Sequence, residues 1–280
     1  MEQNNKKYPP RGTRGENRRS EGHAGNEDAL PSAIGGRNAA RELLASGRDI
    51  DKVFVASGDR EGSILVLIAE ARRRGIPVVE VDRRRLDAIV GHSHHQGIAV
   101  AASMTDYCEI EDMLRLAEER GEAPFLVMAD GIEDPHNLGA IIRTAECCGA
   151  HGLILSKRHA AGITPVVAKT SAGAISHLPI ARVTNLACTA EELKKKGLWF
   201  YAADMDGTAY HTLDFRGPTV LVLGSEGFGI SRLLREKCDF VASIPMYGKV
   251  NSLNVSAAAA ILLCEIARCR HQSSERRHLP

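Results

Sequence analysis

Three loops in this chain place polar side chains where open α/β sheets bind ligands, at the carboxyl ends of apolar strands. Thr219 to Leu223 is a continuous apolar run, and Gly224-Ser225-Glu226-Gly227-Phe228-Gly229 follows it. Phe240 to Ile244 is a second run. It stops at Pro245, and the loop Met246 to Leu253 leads into an alanine-rich helix beginning at Asn254. Phe125 to Ala129 is a third, followed by the polar loop Asp130 to Asn137. Glycines at three of six positions let the chain turn sharply and let a ligand lie against bare backbone. With Glu226 beside them, the expected ligand is polar. Neither G-x-G-x-x-G with a following acidic residue nor G-x-x-x-x-G-K-[ST] is present, which argues against a dinucleotide or ATP site. Single residues in these loops also have purely structural readings. Asn137, Ser252 and Asn254 all suit helix N-caps, Glu226 suits a turn, and Arg143 suits the exposed side of a helix.

The elements that must position these loops alternate along the chain. Residues 1–29 hold almost nothing apolar and are expected to be disordered, with a basic stretch at Lys6, Lys7, Arg11, Arg14, Arg18 and Arg19. Residues 31–103 predict a small α/β domain: helix Arg37 to Ala45, strand Lys52 to Ala56, a helix capped by Ser63, strand Pro77 to Val81, helix Leu86 to Val90 and strand Gly97 to Ala101. Its Arg72-Arg73-Arg74 and Arg83-Arg84-Arg85 triplets suit a solvated face or contacts to RNA phosphates. An amphipathic segment at 104–122 is expected to connect it to a second unit, 123–270, with a short tail at 271–280. In that unit Leu138 to Cys148 reads as a helix ended by Gly149. Pro165 to Thr170 follows as a helix, then a strand around His177 to Val183. Thr189 to Lys196 reads as a helix with a Thr189/Glu192 capping box, and Leu198 to Ala203 as a strand. The alternation predicts a mostly parallel sheet with helices on both faces.

Composition bounds the function. A net charge of +1 over 280 residues leaves any basic surface local. Seven cysteines without a C-x-x-C pair fit reduced thiols. With no signal peptide and no membrane-length apolar run, the expected location is the cytoplasm and no membrane is involved. The His92, His94 and His95 group lacks a spaced partner for a metal, and none is expected.

Three blocks stand in order: DPHNLGAIIRTAECCGA, LVLGSEGFGIS and IPMYGKVNSLNVSAAAAILLCE. Together they resemble the three motifs of the SpoU/TrmH family of RNA ribose 2'-O-methyltransferases. AIGGRNAARELL and HHQGIAV resemble, more loosely, the ribosomal-protein-like (L30e-like) substrate-binding domain joined to that core in members acting on guanosine of 23S rRNA. The resemblance implies a trefoil-knotted α/β methyltransferase domain, a homodimer formed through it, and S-adenosylmethionine (SAM) as cofactor. It implies catalytic roles for Asn137, Arg143, Glu226, Ser252 and Asn254, and contacts to SAM from Leu223, Gly224, Ile244, Met246, Leu253 and Val255. In this reading the 31–103 domain selects the RNA, a guanosine of 23S rRNA in the peptidyl-transferase region. A tRNA, a resistance-type rRNA site, or a non-catalytic role in ribosome assembly are the alternatives.

Overall fold

A computed structural model describes residues 33–58 and 62–275. The basic tail 1–29 lies outside the described residues.

The first unit is a four-stranded sheet of β1 (Ile34–Gly35), β2 (Ile50–Ala56), β3 (Val78–Val81) and β4 (Ile98–Ala102), in the order β1-β4-β2-β3. Only β2 and β3 pair in parallel. Helices α1 (Arg37–Ala45), α2 (Ser63–Arg73) and α3 (Arg83–Val90) cover it. Two expectations need correction. Ser63 opens α2 instead of capping it; Gly62 holds the cap position and no side chain caps the helix. And α3 starts at Arg83, because Asp82 accepts a hydrogen bond from the Arg85 N–H and so caps the turn that carries the arginine triplet.

The second unit is a six-stranded sheet of β5 (Phe125–Ala129), β6 (Gly152–Ser156), β7 (Ile180–Val183), β8 (Trp199–Ala209), β9 (Thr219–Leu223) and β10 (Phe240–Ser243). Its order is β10-β8-β9-β5-β6-β7 and every pair is parallel. Strand β5 shows why both faces must be covered. Phe125, Val127 and Ala129 enter one core, Leu126 and Met128 the other, and all five are fully buried. Helices α5 (Pro135–Cys147) and α9 (Val255–Glu275) pack in the first core. Helices α4 (Ile110–Glu119), α7 (Leu186–Lys195) and α8 (Arg232–Arg235) pack in the second, and α6 (Pro165–Thr170) lies against α5. The connecting segment is therefore no free spacer: Met113 of α4 is buried under β6, where Gly152 leaves room that a Cβ would fill.

Other element boundaries differ from the periodicity, and β7 starts at Ile180 where the strand is expected from about His177. α5 begins at Pro135 because Asp134 caps it, accepting from the His136 N–H at 2.9 Å, which frees Asn137 from that task. α7 begins at Leu186 under Asn185, which accepts from the Cys188 N–H at 3.1 Å; Thr189 is buried inside it. β8 continues to Ala209, past Ala203. α9 continues through Glu275, so the first half of the expected tail is helix.

The two units meet at Arg182 of β7. Its guanidinium donates to the Asp51 carboxylate at 2.8 Å and to the main-chain oxygens of Asp51 and Lys157. The Tyr107 hydroxyl donates to the same carboxylate.

His151 gives the second unit a pH signature. Its ring is fully buried, Nδ1 accepts from the Phe125 N–H at 3.0 Å, and Nε2 faces the Glu122 carboxylate at 3.1 Å. An acceptor Nδ1 requires the neutral ring with its proton on Nε2. Burial holds its pKa below the ordinary 6.5. A depressed basic pKa means that the unfolded chain takes up the proton first, so stability falls as pH drops below that ordinary value. The thermal midpoint is expected to drop between pH 7.5 and 5.5, and to drop less in a His151→Gln variant measured in the same buffers.

Candidate active site

The loop after β9 is a pinned tip. A Cβ on Gly224 would sit 2.2 Å from the carbonyl carbon of Gly229 and 2.3 Å from the Ile230 nitrogen, so the chain closes only over glycine. Ser225 and Gly229 exchange two backbone hydrogen bonds of 3.0 Å. Glu226-Gly227-Phe228 is left at the tip, with positive φ at Gly227 (93°) and Gly229 (67°). Asp130 at the end of β5 ties the base of the loop: its N–H donates to the Leu223 oxygen, and its carboxylate accepts from the Ser231 N–H, both at 2.8 Å.

Three polar side chains from three distant segments close a ring beside this tip. The Asn254 Oδ1 caps α9, accepting from the N–H groups of Ser256 at 2.9 Å and Ala257 at 3.3 Å. That cap orients the amide and aims Nδ2 at Glu226 Oε1 (2.6 Å) and Asn137 Oδ1 (3.0 Å). Asn137, only 7% exposed in the first turn of α5, donates its own Nδ2 to the same Glu226 oxygen at 3.1 Å. Asn254 thus caps α9 with its oxygen and holds Glu226 and Asn137 with its nitrogen. Asn137 caps nothing, and Glu226 is held by two amide donors, which a surface turn residue would not be.

The ring stands at the rim of a cavity of about 490 Å³. Leu223, Gly224, Ile244, Met246, Leu253 and Val255 all line it, as do Ser252, Glu226 and Asn254. Its walls are apolar on the β9, β10 and α9 sides. Its charged lining groups are the carboxylates of Glu226 and Asp204, with no lysine or arginine among them; Asp204 is ion-paired with Arg235 at 2.9 Å, which leaves Glu226 as the unneutralised charge. Such a site fits a flat ring joined to a positively charged centre and is poorly suited to phosphate. Ser252 lies in the wall and outside the ring. Arg143 is not brought to the cavity: it is exposed on α5, two turns beyond Asn137, and lines neither this cavity nor the next. That second cavity, about 420 Å³, adjoins the first and shares Ser225, Glu226 and Val255 with it. Among the described residues no group of three or more histidine, cysteine, aspartate or glutamate side chains could hold a metal ion. Nor is any described helix long and apolar enough to cross a membrane.

Sequence reasoning missed Asp204 and Met205 in the cavity wall. They lie in the half of β8 beyond Ala203, which carries no apolar alternation to mark it as strand. The signal available was Gly207, where a Cβ would meet the Val241 main chain of β10 at 2.4 Å.

Gly224 supplies a sharp test of the loop. Gly224→Ala forces the Gly229–Ile230 backbone to move and opens the tip. The second unit's sheet should still form, with far-ultraviolet circular dichroism unchanged, while cofactor affinity measured by calorimetry falls at least tenfold.

Comparison with known proteins gives the arrangement its context. The SpoU rRNA Methylase family model matches residues 124–264, and the model for RNA 2'-O ribose methyltransferase substrate binding matches residues 33–108. The putative TrmH family tRNA/rRNA methyltransferase YacO of Bacillus subtilis is 44% identical over 241 residues, covering 86% of this chain and 96% of YacO. An AdoMet-bound rRNA methyltransferase from Sinorhizobium meliloti is similar in structure, with a TM-score of 0.53 and 26% identity over 84% of this chain and 86% of that one. The SpoU methyltransferase AviRb from Streptomyces viridochromogenes, solved with AdoMet, shares the fold at a TM-score of 0.55 and 24% identity, over 86% of this chain and 90% of its own. With both units matched and a relative 44% identical along most of its length, the chain belongs to the SpoU/TrmH family of RNA methyltransferases.

Proposed function

We propose that this protein transfers the methyl group of SAM to a ribose 2'-oxygen, the target being a guanosine of 23S rRNA in the peptidyl-transferase region. The observation that carries the reading is the Asn137–Glu226–Asn254 ring at the rim of an apolar cavity that has carboxylates and no basic lining group. When bound, SAM supplies an electrophilic methyl carbon on a positively charged sulfur. The cavity fits that group. Gly224 lets the backbone approach an adenosyl ring, while Leu223, Ile244, Met246, Leu253 and Val255 form the walls around it. Glu226 offers the counter-charge, held in place by its two asparagine donors. Ser252, in the same wall, meets the ribose or its phosphate in this reading.

Alignment of oxygen, carbon and sulfur is most of the catalytic task. The remaining part is to stabilise negative charge on the attacking oxygen, and this falls to Arg143. A guanidinium has no acceptor and stays protonated in proteins, so Arg143 acts as an electrostatic stabiliser, with phosphate or water taking the proton. Because Arg143 is exposed and lines neither cavity, it must be delivered from elsewhere. We assign that to a homodimer through the second unit, with each copy lending its Arg143 to the other's cavity. The first unit, with Arg83 to Arg85 in one helical turn, grips folded RNA by its backbone. The reading also takes the chain to be knotted around this cavity, and the protein to work in the cytoplasm.

Incubation with radiolabelled SAM and total RNA from cells lacking the protein, followed by nucleotide mapping, tests the proposal. Label in one 2'-O-methylguanosine of 23S rRNA is expected. Label in tRNA, the other substrate class in the Bacillus relative's name, would move the assignment. No label in any RNA would favour a binding role.

A further inference from the structure

Phe228 is 97% exposed, yet it is not on a loose loop. The two Ser225–Gly229 backbone hydrogen bonds pin the tip, and Gly227 and Gly229 fix the turn on either side of the ring. Phe228 stands at the edge of the second cavity, which Gly131 to Asp134 of the loop after β5 also line. Glu226, two residues earlier on the same tip, forms part of both cavities. The tip therefore puts a carboxylate where the two cavities adjoin and an aromatic side chain at the second.

Geometry decides what that space must hold. Resting on the function proposed above, an attacking 2'-oxygen comes within about 3–3.5 Å of the methyl carbon, so its ribose sits at the junction of the two cavities. The base attached to that ribose then lies in the adjoining one. A nucleotide drawn out of a folded RNA loses its stacking neighbours, and proteins replace them with aromatic side chains. We propose that Phe228 stacks on the target nucleobase, making the second cavity the seat of the extruded nucleotide and Phe228 a positioning residue for the reaction. A phenyl ring has no hydrogen-bonding group, so it holds the base without reading its identity. Its loss should weaken productive RNA binding for any target base.

The experiment uses full-length protein, radiolabelled SAM, and ribosomal RNA isolated from cells lacking the protein. Wild type, Phe228→Ala, Phe228→Leu and Phe228→Trp are compared in single-turnover methyl transfer against RNA concentration. SAM affinity is measured by calorimetry and oligomeric state by sedimentation. Phe228→Ala and Phe228→Leu should both raise the RNA concentration for half-maximal rate at least tenfold, with SAM affinity unchanged, and Phe228→Trp should match or better wild type. Full rescue by leucine would show that the ring only fills apolar space. An unchanged Phe228→Ala would show that it does nothing for RNA, and dissociation of that variant would place the ring in a subunit contact; each overturns the proposal while methyl transfer by the wild type stands. A wild type that methylates no RNA would remove the functional reading and this inference together.

Discussion

Arg143→Ala lowers the single-turnover rate of methyl transfer about 100- to 1000-fold, the cost of removing one preorganised donor from a developing oxyanion, and leaves SAM affinity within about twofold. The separation follows from position: Arg143 is absent from the walls of the cavity that fits SAM, so its removal takes nothing from cofactor binding. Rapid-quench transfer to RNA measures the first effect and calorimetry the second. The same residue tests the dimer. In mixtures of Arg143→Ala with Glu226→Ala protein, half the dimers are mixed, and each mixed dimer has one cavity with an intact Glu226 that faces an intact Arg143 from the other copy. About a quarter of wild-type activity should return if the arginine crosses the interface. None returns if it acts within its own chain.

The second large effect comes from Asn254. Asn254→Ala removes the cap of α9, costing about 1 kcal/mol of stability, and takes one of the two donors from Glu226. Asn254→Asp separates these consequences. Aspartate caps a helix as well as asparagine does, so the Ser256 N–H keeps its acceptor and the cap's contribution to stability is retained. The side chain no longer donates to Glu226, however, and a second carboxylate now lies against the first. Methyl transfer is expected to fall at least about 100-fold, comparable to loss of a catalytic donor. Two facing carboxylates raise the pKa of one of them, and a protonated carboxyl regains a donor. The defect should therefore be deeper at pH 8 than at pH 6 when each is compared with wild type at the same pH. Wild-type activity in Asn254→Asp at both pH values would make Asn254 a cap and nothing more.

Much of this architecture was legible in the residues, for identifiable reasons. Strands buried on both faces are continuous apolar runs, so β5 and β9 stand out at Phe125 and Thr219 as soon as the chain is read. Glycine at 224 and asparagine at 254 mark loop ends by their backbone and capping preferences. Other features depend on partners far away in sequence. Nothing local shows that β10 lies beside β8, or that Asn137 meets a glutamate 89 positions later. Where two capping residues compete within a few positions, periodicity picks the wrong one. Asp134 precedes Pro135 and takes the cap, since proline favours the first helical position, while Asn185 outranks the buried Thr189. Met113 reads as part of a connecting helix because the space that receives it is the missing side chain of Gly152, and a missing atom leaves no pattern. The exposed half of β8 is long because β10 pairs with it, and the polar end of α9 has no apolar stripe to announce its length.

Hydrogen–deuterium exchange with and without saturating SAM addresses the central claim most directly. Slowed exchange is expected in peptides covering residues 221–231 and 242–262, the two loops and the start of α9, with residues 33–102 unchanged. Binding of SAM that leaves those loops exchanging at their free rate, or that protects the first sheet instead, would contradict the account.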